Sequence, residues 1–551
     1  MAEAADQEGT FLIFRNFRNF HTSGRSVLLA ENGIAATSHP HATRVALDVL
    51  RGGGNAVDAA VAAAALLAVV EPAMTGIGGD CFVLFSPKGA APIGLNGSGR
   101  APAAATLDWY LDQRIATIEP ESAHAVTVPG AIDAWCRLVG DHGTRDIGAL
   151  LQPAIEAAEL GHPVPPRVAY DWSSTVARIS HDPATAAIFL PGGRPPAVGE
   201  RHRNPKLAET LRTIAKRGRA GFYEGAVMED LVAHLRARGG LHTADDFAAQ
   251  RSDYVTPIAA AYRGYDVCEI PPNGQGITAL IILKLLAHFD LSDAGCSAAD
   301  RIHLIAEASK AAYALRDAEI GDPATMRASV ESLLDDSRLR SAAERIRRDR
   351  AQAYELSSAA ADGTQDGALH KDTTYLTVVD RDRNAVSFIN SLFQGFGSGI
   401  TGPHSGVLLH NRGISFRVQP GHPNAIGARK RPMHTIIPAM LVKDGKAVMP
   451  FGVMGGHYQA TGHASFISGV LDRGLDPQQA NEAPRHFAYG GALQVEEGVP
   501  ADVVAELARR GHRIEPVPRP LGGCQAIWID HARGLLMGAS DPRKDGCAFG
   551  Y

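Results

Sequence analysis

Residues 373–391 read TTYLTVVDRDRNAVSFINS, and this stretch is the clearest structural signal in the chain. Its β-branched and aromatic residues form two runs around DRDRN, a pattern that predicts two antiparallel strands joined by a tight turn. Residues 352–371, QAYELSSAAADGTQDGALHK, lack this pattern and are rich in Ser, Ala, Gly and Asp. We therefore predict an exposed, mobile segment that ends at Asp372 and a strand that starts with Thr373-Thr374.

Thr373 is a candidate nucleophile because of this position. A threonine hydroxyl is a weak nucleophile and needs a nearby base. A free α-amino group, with a pKa of roughly 8, can serve as that base. Cleavage between Asp372 and Thr373 would place the amine and the hydroxyl on one residue. The residues alone leave a second interpretation open, in which the Thr-Thr pair only favours a strand.

The remainder of the C-terminal part is predicted to be mainly sheet. AMLVKDGKAVMPFG predicts a second hairpin that turns at Asp444-Gly445, and QAIWIDHARGLLMGAS predicts a third. Helices are expected near 478–483 and 501–510. The sheet-rich texture after residue 372 contrasts with the helix-rich stretches 145–250 and 262–350.

The N-terminal part contains a predicted apolar helix that Asn55 opens and Pro72 ends. A short amphipathic helix before it follows Ser38 or His39, and residues 1–27 are expected to form a loose arm. TGIGGD at 75–80 comes after a helix and before a strand, the reverse of a phosphate loop. Its glycines are therefore interpreted as a close backbone approach.

Composition excludes several classes of function. The chain has 551 residues, a formal net charge of −5 and no long basic run, so nucleic acid is not an expected partner. Its six cysteines lack ligand spacing, and we expect neither a metal site nor a disulfide framework. The longest apolar run, 59–70, is shorter than the roughly 20 residues that span a bilayer. With no secretory signal in the N-terminal residues, we predict no membrane partner and a cytoplasmic location.

Motifs that follow one another from about Gly33 to Tyr551 carry a family resemblance. They are GGGNAVDAAVAAAALLAVVEPAMTGIGGD, VTVPGAIDAW, LLQPAIEAAELGHPV, YRGYDVCEIPPNGQG, HLIAEASKAAYALRD, DTTYLTVVDRDRNAVS, ARKRPMHTIIPAM, FGVMGG and DPRKDGCAFGY. Together they resemble the γ-glutamyltransferase (glutathione hydrolase) family of N-terminal-nucleophile hydrolases.

The resemblance implies a precursor that cleaves itself between Asp372 and Thr373. The products would be a helix-rich large fragment, 1–372, and a small fragment, 373–551, which carries the nucleophile and stays associated with the large one. The implied fold is α+β, a four-layer αββα sandwich in which both fragments form one unit. A homodimer of such heterodimers is one possible assembly, and no metal or organic cofactor is implied.

Several catalytic roles carry over by position. Ser391 would hydrogen-bond the nucleophile hydroxyl, although a plain strand serine is the alternative. Gly455-Gly456 in FGVMGGH would donate two backbone N–H groups to the oxyanion of the tetrahedral intermediate. A simple turn is the alternative for this glycine pair.

The substrate clamp departs from the family pattern. Ser98, in NGSGRAP, stands where the family has an arginine that binds the glutamyl α-carboxylate. Arg100 lies two residues on, which in a strand is the same face, so it could replace that arginine. It could equally be a surface salt-bridge residue.

The family's partner for the α-amino group is also missing. Ser415 stands at the position of that acidic residue, Phe393 replaces an asparagine, and His434-Thr435 replace paired serines. We therefore expect an amide substrate with a carboxylate but no nearby α-amino group. Arg100 or His434 would bind that carboxylate, while Thr435 and Ser415 would line the site; His434 could instead be a hydrogen-bonded core histidine.

The pattern most resembles the branch of acylases and small-amide hydrolases that includes oxamate amidohydrolase. The predicted function is hydrolysis of a small carboxylate-bearing amide, or transfer of its acyl group, by an N-terminal threonine. Two alternatives remain open, a genuine γ-glutamyltransferase and a non-catalytic binding protein on the same fold.

Overall fold

Two seven-stranded antiparallel sheets form the centre of the computed structural model, which describes residues 18–21, 23–352 and 373–551. Sheet 1 contains, in spatial order, Leu28–Ala30, Leu535–Ser540, Gly523–Asp530, Lys446–Met454, Ala439–Lys443, Tyr265–Glu269 and Ile258–Tyr262. Sheet 2 contains Cys547–Gly550, Ile34–Thr37, Thr374–Val379, Ala385–Ser391, Asp80–Ser86, Ile93–Gly97 and Asp253–Val255. Shorter strands are His162–Pro163, Arg201–His202, Ile400–Thr401, Leu408–Leu409, His486–Tyr489, Ala492–Val495 and Ile514–Pro516.

The two sheets pack face to face, and helices cover their outer faces. Tyr375 and Ile389 of sheet 2 belong to the same core as sheet 1, whereas Leu376 and Phe388 pack with the helices on the other side. This alternation follows from the two-residue repeat of a strand. It explains why strand Thr374–Val379 is apolar on both faces and buried throughout. The four layers confirm the predicted αββα sandwich.

Each sheet has its own set of covering helices. Those on sheet 2 are Pro40–Arg51, Ala56–Val70, Ala131–His142, Ile147–Leu160, Pro205–Arg217 and Ala226–Ala237. Those on sheet 1 are Gly276–Leu286, Ala298–Glu319, Asp336–Glu344 and Gln459–Leu471. Further helices are Leu107–Asp112, Pro166–Ser173, Val176–Ser180, Pro183–Phe189, Ala220–Tyr223, Ala244–Ala249, Val330–Leu333, Pro477–Glu482 and Ala501–Arg509.

The local signals of the sequence have clear counterparts. Asn55 and Asp58 form a reciprocal capping box at the start of helix Ala56–Val70, in which every residue is buried. The Asp444-Gly445 turn has positive φ at both residues, as a tight hairpin requires. Within the described residues no helix combines the length and apolarity that a membrane crossing needs.

Some elements differ from the sequence-based expectation. The helix Gln459–Leu471 was not foreseen, and strand Ile93–Gly97 ends before Ser98. The predicted segment before Thr373 lies outside the described residues except for Gln352, and so does Asp372.

Candidate active site

Thr373 and Ser391 meet at one end of the central hairpin of sheet 2. Thr373 immediately precedes strand Thr374–Val379 and is buried, while Ser391 ends the neighbouring strand. Their hydroxyl oxygens are 2.9 Å apart, a hydrogen bond in which either oxygen can donate. Ser391 Oγ also accepts the backbone N–H of Phe393 at 2.8 Å. The hairpin register therefore gives Thr373 Oγ1 a fixed position.

The glycine loop at 75–80 packs against this pair. A Cβ atom on Gly79 would lie 2.4 Å from the carbonyl oxygen of Ser391, and one on Gly78 would lie 2.2 Å from that of Leu408. Asn390 also links the hairpin to this loop, because its Nδ2 donates to Thr75 Oγ1 at 2.7 Å. Close approach of two backbones thus accounts for the glycines here.

The Gly455-Gly456 pair follows strand Lys446–Met454 of sheet 1. Gly455 has φ +123° and Gly456 has φ +59°, values that favour glycine. The ring of Tyr375, two residues after Thr373, packs directly over Gly452, where a side chain would overlap it. Gln275 also holds this loop, because its Nε2 donates to the carbonyl oxygen of Gly456 at 3.0 Å. The loop that carries the predicted oxyanion donors is therefore rigidly attached to the sheet interface.

His434 is a fully buried histidine that is paired with Asp80. Its Nδ1 accepts the N–H of Ile436 at 3.3 Å, so Nε2 carries the proton and donates to Asp80 Oδ2 at 2.9 Å. Burial lowers the pKa of His434 to about 3, and the ring is neutral. The structure thus places His434 in the core role that the sequence left open, and leaves it without a free cationic edge for a substrate carboxylate.

Asp80 links this pair to the nucleophile strand. It starts strand Asp80–Ser86 and lies opposite Ser391 in the sheet register. Its Oδ1 accepts the N–H groups of Gly99 at 3.0 Å and Gly130 at 3.2 Å. Burial acts to raise the pKa of Asp80, but nearby His410, His434 and Arg412 outweigh it and lower the value to about 2. Asp80 is therefore negatively charged at neutral pH, next to the Ser391 end of the hairpin.

Thr435 binds a buried arginine that the sequence analysis did not select. Thr435 Oγ1 accepts a hydrogen bond of 2.7 Å from Nη1 of Arg412. The guanidinium carbon of Arg412 lies 3.8 Å from the centre of the Phe393 ring, a close cation–π contact. Arg412 stands directly after Asn411 in the motif NRG, but one arginine in a loop gives no signal without knowledge of its burial.

Ser415 lines a cavity beside the nucleophile strand. Part of the cavity is open to solvent, and Phe393 and His457 connect it to Ser391 and to Gly456 along the chain. Ser415 Oγ and Asp317 Oδ2 are buried there and have no hydrogen-bond partner among the described residues. The cavity therefore offers polar contacts for part of a substrate.

Arg100 is not brought together with these residues. Strand Ile93–Gly97 ends before it, so the argument that Ser98 and Arg100 share a strand face was wrong. Arg100 donates to the carbonyl oxygen of Arg429 at 3.2 Å and pairs with Asp253 at 3.4 Å. Its side chain is 36% exposed, which fits the surface salt-bridge alternative.

One group of described residues has the composition of a metal site. His303, Glu307 and His512 bring one ligand atom each within 4.8 Å of one another. His303 Nδ1 lies 2.8 Å from His512 Nε2, and Glu307 is paired with Lys310 at 2.5 Å. These contacts already account for most of the polar atoms, so the group is explained as a buried hydrogen-bond cluster.

The fold, the hairpin and the glycine loop together define a class of protein. A family model described as Gamma-glutamyltranspeptidase matches residues 42–551. The chain belongs to this family, and it is an enzyme of the N-terminal-nucleophile hydrolase class.

Similar proteins within this class have different activities in their names. The chain is 37% identical to the glutathione hydrolase-like YwrD proenzyme of Bacillus subtilis (strain 168), over 94% of this chain and 98% of that protein. It is 35% identical to the oxamate amidohydrolase proenzyme of Klebsiella pneumoniae, over 95% and 99%. The crystal structure of cephalosporin acylase from Bacillus halodurans matches with a TM-score of 0.90 at 39% identity, over 98% and 99%. The class is thus common to these proteins, while the substrate is not.

Proposed function

We propose that this protein is a self-processing N-terminal threonine amidohydrolase that hydrolyses a small amide whose acyl group carries a carboxylate. The hydrogen bond of 2.9 Å between Thr373 Oγ1 and Ser391 Oγ carries the proposal. It holds a hydroxyl on the residue that backbone cleavage would turn into a new N-terminus. The resulting amine would supply the base that a threonine nucleophile needs.

The fragments of such a cleavage would remain together because strands of each fragment pair with strands of the other in sheet 2. Strand Thr374–Val379 pairs with Ile34–Thr37, and Ala385–Ser391 pairs with Asp80–Ser86. Separation of 1–372 from 373–551 would therefore open both ladders and expose the apolar faces between the sheets. We expect the processed enzyme to be a stable heterodimer of the two fragments.

The chemistry uses groups of the chain alone. The α-amine of processed Thr373 accepts the proton of Oγ1, directly or through water, while Oγ1 attacks the amide carbonyl carbon. Ser391 holds Oγ1, and the N–H groups of Gly455 and Gly456 stabilise the oxyanion. The proton passes to the departing amine, which leaves an ester on Thr373. Water then hydrolyses that ester, releases the carboxylic acid and restores the threonine.

The substrate class rests on what the site contains. Ser415 offers a hydroxyl at the position of the family's acidic residue, and the carboxylate of Asp317 in the same cavity is already paired with Arg316. The buried Arg412 adds a positive charge. Relatives named oxamate amidohydrolase and cephalosporin acylase support an amide substrate without a γ-glutamyl group.

The test is processing of the wild-type chain beside Thr373→Ala and Thr373→Ser. We expect wild type to give two fragments on a denaturing gel, the smaller starting TTYLTVV, and Thr373→Ala to stay uncut without amidase activity. Thr373→Ser keeps a hydroxyl and an amine and should still be processed. A Thr373→Ala chain that splits at this bond, or that hydrolyses amides at the wild-type rate, would overturn the proposal.

A further inference from the structure

We propose that Arg412 is the residue that binds the carboxylate of the acyl group, an inference that rests on the proposed amidohydrolase function and specifies its substrate recognition. The sequence assigned this role to Arg100 or His434. The structure gives both of those residues other partners, Asp253 for Arg100 and Asp80 for His434.

Arg412 is a buried guanidinium with an unused donor. Its side chain is 1% exposed, and Nη1 donates to Thr435 Oγ1. Nη2 is buried and has no hydrogen-bond partner within 18–21, 23–352 and 373–551. A buried donor without an acceptor costs about 1–3 kcal/mol, and more when it is charged, so a ligand that supplies the acceptor would be stabilised there.

The nearby negative charge does not satisfy this arginine. The negative charge of Asp80 acts on Arg412 electrostatically, but the two residues form no ion pair within the described residues. The oxygens of Asp80 instead accept hydrogen bonds from His434, Gly99 and Gly130. Burial lowers the pKa of Arg412 to about 9, which leaves it a cation at neutral pH. An incoming carboxylate would complete its charge-assisted hydrogen bonds.

The position of Arg412 relative to the nucleophile follows from a short chain of contacts. Thr373 Oγ1 bonds Ser391 Oγ, which accepts the N–H of Phe393, and the Phe393 ring packs against the guanidinium at 3.8 Å. Phe393 has φ +80°, so its backbone turns sharply after the strand and directs the ring to Arg412. The aromatic residue that replaces the family's asparagine thus contacts both Arg412, through its ring, and Ser391, through its backbone N–H.

This arrangement selects the substrate by charge. A carboxylate on the acyl chain gains bonds to a planar guanidinium, whereas an α-ammonium group in the same place would be repelled. The expected substrate class is therefore the monoamides of short dicarboxylic acids. The position of Arg412 sets the preferred distance between the amide carbonyl and the free carboxylate.

The experiment compares processed wild type, Arg412→Met, Arg412→Lys and Arg100→Met on two matched substrates. These are the p-nitroanilide of glutaric acid, which has a free carboxylate, and the p-nitroanilide of pentanoic acid, which lacks it. Denaturing gels and melting curves first establish that each variant is processed and folded. Anilides of the acids from oxalic to adipic then give the preferred distance between carbonyl and carboxylate.

We expect Arg412→Met to lose about 10- to 100-fold in kcat/KM on the glutaryl anilide, mainly through KM, and to change little on the pentanoyl anilide. Arg412→Lys should retain part of the preference for the glutaryl anilide, because lysine keeps the positive charge but lacks the two parallel N–H donors of the guanidinium. If Arg412→Met is not processed, the same prediction applies to Arg412→Lys, with a smaller loss that is again confined to the carboxylate substrate.

The outcomes separate this inference from the proposed function. If wild type hydrolyses both anilides equally well, the carboxylate part of the proposed function fails. If wild type prefers the glutaryl anilide and the Arg412 variants retain the full preference, only the assignment of Arg412 fails. If Arg100→Met instead loses the preference for the glutaryl anilide, Arg100 and not Arg412 binds the carboxylate.

Discussion

The region around the proposed nucleophile and the region around the proposed carboxylate-binding residue are built in different ways. Thr373 and Ser391 lie at one end of the central hairpin of sheet 2, and Gly455 directly follows strand Lys446–Met454 of sheet 1, so strand register and close packing fix their backbone. Arg412 and Phe393 lie in loops, where side chains from separate parts of the chain meet. On the proposed function, the reaction would depend on fixed backbone positions, whereas the substrate would be selected by residues that can change without disturbing the sheets.

The backbone of the nucleophile region can be disturbed at Gly455. Alanine there is strained at φ +123°, and its Cβ would lie 3.0 Å from the Cα of Gly522. Displacement of the N–H should lower kcat by about 10²–10³-fold with little change in KM, as for loss of one oxyanion donor. Steady-state kinetics of the processed variant on an acyl anilide measure this effect.

Gly445→Ala is the matched control for that variant. Gly445 also has a positive φ, +75°, but it lies in a hairpin turn with no heavy atom within 4 Å of the added Cβ. It should lose some stability and retain wild-type kcat. Equal losses of kcat in both variants would show that backbone strain, and not the oxyanion position, explains the effect.

The His434–Asp80 pair lies between the two regions and should make the fold sensitive to acid. The pKa of His434 is lowered from 6.5 to about 3, so below pH 6.5 the unfolded chain binds a proton that the folded chain does not. Stability is therefore present above the unfolded pKa and is lost as pH falls toward 3. From the histidine alone we expect a loss on the order of 1–2 kcal/mol between about pH 6.5 and 5.

Asp80 should add to this loss at lower pH. Its folded pKa is lowered from 3.8 to about 2, so its contribution is present above about pH 4 and disappears as pH falls toward 2. Denaturant unfolding at several pH values would measure both slopes. His434→Gln should weaken the pH dependence of the free energy of unfolding between about pH 6.5 and 5. His404→Gln, at an exposed position, serves as the control and should leave this dependence unchanged. An unchanged slope in His434→Gln would contradict the prediction.

The smallest effect is expected at Arg100. It pairs with Asp253 at the surface, with the two side chains 36% and 47% exposed, so Arg100→Met should cost less than about 1 kcal/mol. The free energy of unfolding and the KM for a carboxylate-bearing amide should both stay close to wild type. A KM that rises by a large factor would show that the sequence-based assignment was right and would weaken the contrast between the regions.

The sequence alone was sufficient for the local elements of the nucleophile region. The two-residue repeat of TTYLTVVDRDRNAVSFINS specifies the central hairpin, and Asn55 marks the start of the buried helix before the glycine loop. These predictions succeed because strand alternation, capping and glycine turns depend on neighbours in the chain. The resemblance added the αββα arrangement, which local patterns do not contain.

Only the tertiary structure shows which charged residues are buried and which partners they have. His434 and Asp80 are 354 positions apart, and nothing local indicates that they form a hydrogen bond. Arg412 is one arginine among many in the sequence, and its burial against Phe393 and Thr435 appears only when separate loops meet. Charge recognition depends on burial and on partners distant in the chain, which the residue sequence does not display but the folded protein does.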